Sequence, residues 1–226
     1  MKLELLPGPQ LLLIVLDGLG DRKVKELGWK TPLEAAFKPN MDTMAVEGAL
    51  GAHYPISPGV PVGSGIAHLL LFNYGLKEYP GRGVLEALGV GAELNPGDLA
   101  FRINFATFDD SGKVVVDRRA GRKDFGFGEI SKILSEELSR NPFGLSVEVY
   151  HGREHRGVLV VREWKREAMV HDTDPQMENL PVILPSGNRE IDELVRWIHQ
   201  RAFEILRLSL IHISEPTRPR LSSYAV

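Results

Sequence analysis

Residues 10–21 read QLLLIVLDGLGD. The apolar run that ends at residue 16 is typical of a strand buried on both faces of a parallel sheet. The glycines behind the run predict a tight turn, which places Asp17 at the carboxyl end of the strand. Ligands bind at that end in open α/β sheets. This stretch therefore predicts an α/β fold and makes Asp17 a candidate site residue.

Two helices are predicted after this strand. Residues 40–47 have Asn40 as a possible N-cap, an apolar side and Gly48 as a stop. A loop rich in proline and glycine follows, and residues 67–72 then form an apolar helix whose first turn contains Ser64. Backbone N–H groups at a helix start can bind a phosphate. Ser64 is therefore the second candidate.

Beyond residue 98 the sequence changes to short β-type runs separated by turn residues, which predicts a second module of the α+β type. An amphipathic helix at residues 129–140 lies among these runs, and another at residues 189–206 follows them. The predicted strands are residues 99–108, 114–117, 146–150, 157–162 and 168–171.

The order of these elements predicts a core sheet with helices on both faces that is interrupted by an inserted α+β domain. The first part of the core covers residues 1–86. The insert covers residues 87–179, and residues 180–207 return to the core.

Residues 208–226 are expected to be foreign to the natural protein. Residues 208–218 read LSLIHISEPTR, which looks like a translated transposase-type sequencing adapter, and SYAV at residues 223–226 matches the next constant stretch of such an adapter. Segments of this kind are excluded before fold reasoning. The natural protein would then be interrupted near Arg207. The alternative is a native, irregular C-terminus.

Composition excludes several classes of function. The 226 residues carry a formal net charge of -3 with scattered basic residues, so neither nucleic acid nor an anionic membrane is expected as a partner. The lack of cysteine excludes disulfides, thiolate metal sites and a cysteine nucleophile, and it fits the cytoplasm. Residues 11–16 are too short for a bilayer span, which takes about 20 residues. Composition does not exclude a small anionic ligand.

Further motifs stand in one order along the chain behind LDGLGD at residues 16–21. They are KTPLEAA at 30–36, KPNMD at 38–42, PVGSGIAH at 61–68, YPGRG at 79–83, DRRAGR at 117–122 and DTDP at 172–175. Together these motifs resemble the archaeal-type cofactor-independent phosphoglycerate mutases of the alkaline-phosphatase superfamily. Several long motifs in one order are far more specific than a lone glycine motif.

The resemblance implies an alkaline-phosphatase-like core and the interconversion of 3-phosphoglycerate and 2-phosphoglycerate through a phosphoserine, without added bisphosphoglycerate. It also implies two divalent metal ions, Mn or Mg. Asp17 would be a metal ligand, and Ser64 would be both nucleophile and metal ligand. Hard cations take oxygen ligands, and coordination to a dication favours the alkoxide of a serine.

The resemblance also supplies candidates for binding phosphoglycerate. Arginine forks bind carboxylate and phosphate with paired hydrogen bonds, and the glycerate must stay bound between the two transfer steps. A histidine at the spacing of His68 occurs in the wider family, and a structural role for it is the alternative. The candidates are Asp117, Arg118, Arg119 and Arg122 first, followed by Arg82, Arg102 and His68.

Some residues depart from the family pattern. Gly65 stands where an acidic residue is common, and residues 73–75 read NYG in place of glycine-tyrosine-aspartate. No counterpart of the later aspartate and histidine ligands precedes Arg207, so little or no activity is expected of this chain. His151 and His155 are predicted to be structural, because the local sequence indicates a strand and a turn.

Two other functions stay open. One is a phosphatase or another phosphomutase that uses the same serine, and retention of the phosphoryl group would distinguish the mutase from it. The other is a non-catalytic anion-binding domain, which would bind phosphoglycerate without metal. The oligomeric state is open as well.

Overall fold

The computed structural model describes residues 11–122, 126–166, 168, 170–213 and 224–225. The chain divides into two compact units, Met1–Tyr54 and Pro55–Val226. The domain limits predicted at residues 86, 179 and 207 stay a prediction. In the described ranges, no helix combines the length and the apolar character needed to cross a membrane.

The chain has an α/β fold, as the sequence indicates. The described helices are α1 (Pro32–Ala35), α2 (Pro39–Glu47), α3 (Ser64–Leu71), α4 (Arg82–Gly89), α5 (Phe127–Leu138) and α6 (Glu190–Ile213). The described strands are β1 (Leu99–Asn104), β2 (Ala106–Phe108), β3 (Val114–Asp117), β4 (Val147–His151), β5 (Arg156–Val161), β6 (Leu180–Pro181) and β7 (Tyr224–Ala225).

The first unit holds the helices α1 and α2. α1 begins in a capping box, because the Thr31 hydroxyl accepts from the Glu34 N–H at 3.1 Å and the Glu34 carboxylate accepts from the Thr31 N–H at 2.7 Å. α2 begins at Pro39, whose fixed φ suits the first helical position. The N-cap therefore lies one residue before Pro39, and the prediction of Asn40 as N-cap is wrong. Gly48 ends α2 as predicted.

The strand predicted at residues 10–16 does not form in the part that the structure describes, residues 11–16. The side chains of this segment are exposed, and Leu11 is 97% exposed. A strand needs a neighbouring strand to take its backbone hydrogen bonds. In the described part of the first unit, the β-pairing present is a single bridge between Val24 and Lys30. The apolar run thus has the composition of a buried strand but no strand partner among the described residues.

The turn behind this segment forms as predicted. Asp17 and Gly18 are both in the turn, and Gly18 has φ 73°, a conformation that glycine adopts without steric cost. Asp17 is exposed.

The second unit contains two small sheets, with strand orders β1-β5-β4 and β6-β3-β2-β7. The strand predicted at residues 99–108 is divided between them, since β1 belongs to the first sheet and β2 to the second. Phe105 lies between β1 and β2 and is completely buried. Its ring stacks on Phe127, with 4.5 Å between the centroids. This contact holds the corner in the core.

The strand predicted at residues 168–171 is wrong at Ala168, Val170 and His171, and Met169 lies outside the described residues. Ala168 and Val170 pack against the apolar core instead. Alternation of apolar residues therefore indicated burial here, without the strand pairing that usually accompanies it.

One large apolar core holds the second unit together. α5 and α6 turn their apolar sides toward the sheet β1-β5-β4, as the spacing of their sequences predicts. Burial of apolar surface is the main source of stability in such a layer, at about 25 cal/mol per Å². The core includes the fully buried side chains of Leu134, Leu138, Val147, Val161 and Leu194.

α6 extends past its predicted end at residue 206 to Ile213. The extension runs into the segment that is expected to be foreign, whose leucines are good helix formers. β7, near the chain end, pairs with β2. Residues 214–223 and 226 of this segment lie outside the described residues, and its foreign origin stays a prediction.

A close approach between α4 and β1 depends on Gly83. A Cβ placed on Gly83 would lie 2.0 Å from the carbonyl oxygen of Ala100 and 2.9 Å from the Cα of Phe101. Both neighbours are backbone atoms of β1 that cannot move aside separately. The missing side chain therefore brings Arg82, the first residue of α4, close to β1.

A network around Arg162 ties the sheet to the loop before β1. The guanidinium of Arg162 donates to Asp98 at 2.7 Å and to Glu148 at 2.8 Å. The hydrogen bond from Arg162 lowers the pKa of Glu148. Charge-assisted bonds of this kind are among the stronger ones in proteins.

We expect Gly83→Ala to destabilise the second unit by about 1–3 kcal/mol, because the added methyl group must separate α4 from β1. The measurement is the free energy of unfolding in urea. Gly89→Ala is the matched control, since a Cβ at Gly89 on the same helix meets nothing within 4 Å. Equal stability of the two variants would contradict the close contact.

We expect Glu148→Gln to make the free energy of unfolding of the chain depend less steeply on pH in the acid range. The pKa of Glu148 is lower in the folded state, so its stabilisation is present above the unfolded pKa of about 4.3 and is lost as the pH falls through the folded value. The free energy of unfolding is measured at several pH values between about 2 and 5. A slope as steep as that of the unmutated chain would refute this expectation.

Candidate functional site

A cavity of about 590 Å³ in the second unit is rich in arginine. Its walls come from the start of α4, from β1, from the turn after β3 and from the start of β5. The five arginines predicted as substrate-binding residues all line it, three of them from the motif at residues 117–122, and a sixth joins them. The six are Arg82, Arg102, Arg118, Arg119, Arg122 and Arg156.

Asp117 shapes the turn that carries three of these arginines. Its carboxylate accepts from the backbone N–H of Arg119 at 2.8 Å and from that of Gly121 at 2.7 Å. The turn closes with a bond from the Arg122 N–H to the Arg119 carbonyl at 2.7 Å. Asp117 was predicted to bind substrate, but it is not among the cavity-lining residues, and its oxygens hold the turn that presents the arginines.

Two of the six arginines have acidic partners. Arg118 donates to both carboxylate oxygens of Asp174, at 2.7 and 2.6 Å. Burial tends to raise the pKa of Asp174, but the hydrogen bonds from Arg118 and from the Gln176 N–H outweigh burial and lower it. Arg102 lies 3.7 Å from a carboxylate oxygen of Glu86. The Asp174 pair fixes the guanidinium of Arg118, whereas Nε of Arg102 is buried without a hydrogen-bond partner among the described residues.

The other four arginines form no hydrogen bond or ion pair through their side chains with any residue that the structure describes. They are Arg82, Arg119, Arg122 and Arg156. Burial and the positive charge of nearby Arg82 lower the pKa of Arg102. The cavity is therefore a region of positive potential with unused donors, which suits an anion that carries carboxylate and phosphate.

Ser64 lines a second hollow, of about 670 Å³, in the same unit. It is the first residue of α3, as its position in the sequence predicts. Arg153 lines this hollow too, and Arg82 and Arg156 line both the hollow and the arginine cavity. The hollow that contains Ser64 and the arginine cavity thus share two cationic residues.

His68 lies in α3, where its Nδ1 is 2.6 Å from the carbonyl oxygen of Ser64. That contact is a helix-internal bond to the backbone, and His68 lines neither the cavity nor the hollow. This arrangement suits a structural role for His68, which was the alternative to binding phosphoglycerate.

The metal site predicted from the resemblance needs more ligands than these. Asp17 belongs to the unit Met1–Tyr54, and Ser64 belongs to Pro55–Val226. Across the ranges that the structure describes, no group of three or more histidine, cysteine, aspartate or glutamate side chains could hold a metal ion. Aspartate and serine oxygens suit a hard cation, but two ligands do not complete its shell.

Sequence reasoning missed Arg156 and the place of its neighbour His155 in the cavity wall. They lie at the end of the turn before β5 and at the first residue of β5, within residues 153–156, which read REHR. The signal was present, since a charged tetrapeptide stands between two apolar strands. His155 was predicted to be structural because its spacing from His151 suited a metal only on a helix.

Comparison with known proteins places the chain in a family. The family model described as 2,3-bisphosphoglycerate-independent phosphoglycerate mutase matches residues 45–211. Proteins of that name from Thermoplasma acidophilum and Ignicoccus hospitalis are 44% and 46% identical over 84% and 88% of this chain. The matches cover 47% and 50% of those two relatives, so the chain spans about half the length of the curated proteins it matches.

Solved structures agree with this result. The cofactor-independent phosphoglycerate mutase from Thermoplasma acidophilum superimposes with a TM-score of 0.53 at 40% identity, covering 93% of this chain and 57% of that one. A protein from Pyrococcus horikoshii superimposes with a TM-score of 0.60 at 30% identity, covering 93% and 48%. The chain belongs to the family of 2,3-bisphosphoglycerate-independent phosphoglycerate mutases.

Proposed function

We propose that this chain is part of an enzyme that interconverts 3-phosphoglycerate and 2-phosphoglycerate through a phosphoserine at Ser64, without bisphosphoglycerate. The observation that carries the proposal is the convergence of five predicted arginines on one cavity. These arginines come from three separate parts of the sequence, around residues 82, 102 and 118–122, and an anion site explains why they meet. The relatives that share the fold bear the name of this reaction.

The arginine cavity would bind the phosphoglycerate. The ligand carries a carboxylate and a phosphate, and four guanidiniums in the cavity have no partner among the described residues. Each guanidinium presents donors in a planar fork that matches either group. A glycerate held by its carboxylate can remain in place while its phosphoryl group leaves and returns, which is the condition for a mutase.

Ser64 would carry the phosphoryl group between the two hydroxyls. In the first step the oxygen of Ser64 bonds to phosphorus, and the bond from phosphorus to the glycerate oxygen breaks. The serine hydroxyl loses its proton in this step, and the glycerate oxygen that leaves gains a proton. In the second step the other hydroxyl takes the phosphoryl group, and Ser64 recovers its proton. Arg82 and Arg156 line both hollows, so their charges can stabilise the moving group.

Two divalent ions, Mn or Mg, belong to the proposal as well. Such ions would activate the serine hydroxyl when bound. Asp17 and Ser64 are suitable ligand types, but the described residues do not complete a metal site. No step above is therefore assigned to a metal, and we expect little or no turnover from this chain alone.

We expect Arg82→Met to weaken the binding of 3-phosphoglycerate to the chain about tenfold or more, because it removes a charged donor from the cavity. Binding is measured by calorimetry without added metal. Arg140→Met is the control, since Arg140 is exposed and pairs with Glu136 and Glu137 instead of lining the cavity. If the two variants bind equally well, the cavity is not the phosphoglycerate site.

We expect Ser64→Ala in the uninterrupted gene product to reduce mutase turnover by about a thousandfold or more, because the nucleophile is lost, while 3-phosphoglycerate still binds. The assay follows 2-phosphoglycerate and inorganic phosphate. Release of phosphate as the main product of the unmutated protein would identify a phosphatase. Unchanged turnover in the variant would exclude the phosphoserine. Manganese-dependent turnover by the present chain would refute the expected inactivity.

A further inference from the structure

The arginine cavity contains a histidine to which the proposed function gives no role. His155 is only 5% exposed and lines the cavity. Its Nδ1 is buried and has no hydrogen-bond partner among the described residues, and Oε2 of Glu154 lies 3.9 Å from it. A buried polar group without a partner is costly. Because Nδ1 is sealed, only the other ring nitrogen, Nε2, can meet a ligand in the cavity.

The surroundings determine the state of this imidazole. Burial, and then the positive charge of Arg156, lower the pKa of His155, so the ring is neutral near pH 7. A neutral ring has one N–H, and the Glu154 carboxylate favours the proton on Nδ1. Nε2 then has a free lone pair. Nε2 has no hydrogen bond with a described residue and is not among the sealed atoms, and its residue lines the cavity, so Nε2 is the ring nitrogen available to a ligand there.

A bound phosphoglycerate needs such an acceptor. Its free hydroxyl must donate to a partner once water is displaced, because an unpaired buried donor costs free energy. Arginines can only donate. Among the carboxylates of the cavity, Asp174 is already bonded to Arg118, and Asp172 and Glu154 carry charges that repel an anion.

Other neutral acceptors around the cavity are less suitable. His171 is exposed and remains hydrated. Nε2 of His199 already faces the Gly112 carbonyl at 3.3 Å. Oδ1 of Asn104 is sealed from the cavity space. His155 therefore combines neutrality, burial and an open lone pair.

We propose that His155 is a specificity-determining residue whose Nε2 accepts a hydrogen bond from the free hydroxyl of bound phosphoglycerate. The inference rests on the proposed function, because it takes phosphoglycerate as the ligand of the cavity. The bond would select ligands that carry this hydroxyl. It would also orient the oxygen that later takes the phosphoryl group from Ser64.

The test compares two ligands on the full chain by calorimetry. They are 3-phosphoglycerate and 3-(phosphonooxy)propanoate, which lacks the hydroxyl. We expect the unmutated chain to prefer 3-phosphoglycerate about tenfold. His155→Phe keeps an aromatic ring of similar size but no acceptor, so the preference should disappear while affinity for the propanoate stays within about twofold. His155→Gln retains an acceptor and should keep part of the preference.

A control variant and a spectroscopic measurement complete the test. His53→Gln removes an exposed histidine of the first unit and should leave the preference unchanged. Nitrogen NMR of the unmutated chain needs no variant. The Nε2 resonance of His155 should shift on addition of 3-phosphoglycerate, and it should not shift with the propanoate.

The outcomes separate this inference from the proposed function. Equal affinity of the unmutated chain for the two ligands would overturn the role of His155 and leave the arginine site intact. If folded His155→Phe still prefers 3-phosphoglycerate over the propanoate, the role of His155 is likewise overturned and the arginine site remains intact. Failure of the unmutated chain to bind either ligand would overturn both proposals.

Discussion

α4 touches the backbone of β1 at Gly83, and the arrangement of the site depends on this contact. The helix and the strand meet without an intervening side chain, so their relative position is determined by backbone atoms. Arg82 opens the helix and Arg102 lies within the strand. The contact therefore holds two like charges in one cavity. Catalytic and binding groups are most accurately placed when they stand on rigid elements of this kind.

Like charges in one cavity raise the free energy of the folded chain, and the structure offsets only part of this cost. Asp174 neutralises Arg118, and Glu86 lies near Arg102. The remaining guanidiniums face the cavity without an acidic partner in the described residues. Packing of the core must hold them there, since their mutual repulsion would separate them. An anionic ligand relieves that repulsion, so the same charges that cost stability favour binding.

The two hollows have two residues in common, Arg82 and Arg156. In the proposed reaction this shared wall lies between the serine and the glycerate. A phosphoryl group that passes from one to the other stays next to positive charge. His155 ends the turn before β5 and Arg156 is the first residue of β5. The residue that would bind the hydroxyl and the residue that would stabilise the phosphoryl group are therefore connected by one peptide bond, and the start of one strand positions both.

The sequence by itself determined the α/β class, four of the six described α-helices and the candidate arginines, but it did not predict α1 or α4. Helical spacing depends on neighbours three and four residues apart, so α5 and α6 were predicted within a few residues at their starts. Several long motifs in one order indicated the family. The sequence did not determine that residues 11–16 would lack a strand partner or that the chain would turn a corner at Phe105. It also did not reveal Asp117 as a support for its turn.

Only the tertiary structure decided which of the candidate residues meet. Arg82 and Arg122 are separated by 39 intervening residues of sequence, and their presence in one cavity is a property of packing. His155 was predicted to be merely structural, and it is buried in the wall of that cavity. The physical reason is that strand pairing, burial and electrostatic environment arise from contacts between segments distant along the chain. Local spacing carries no information about those contacts.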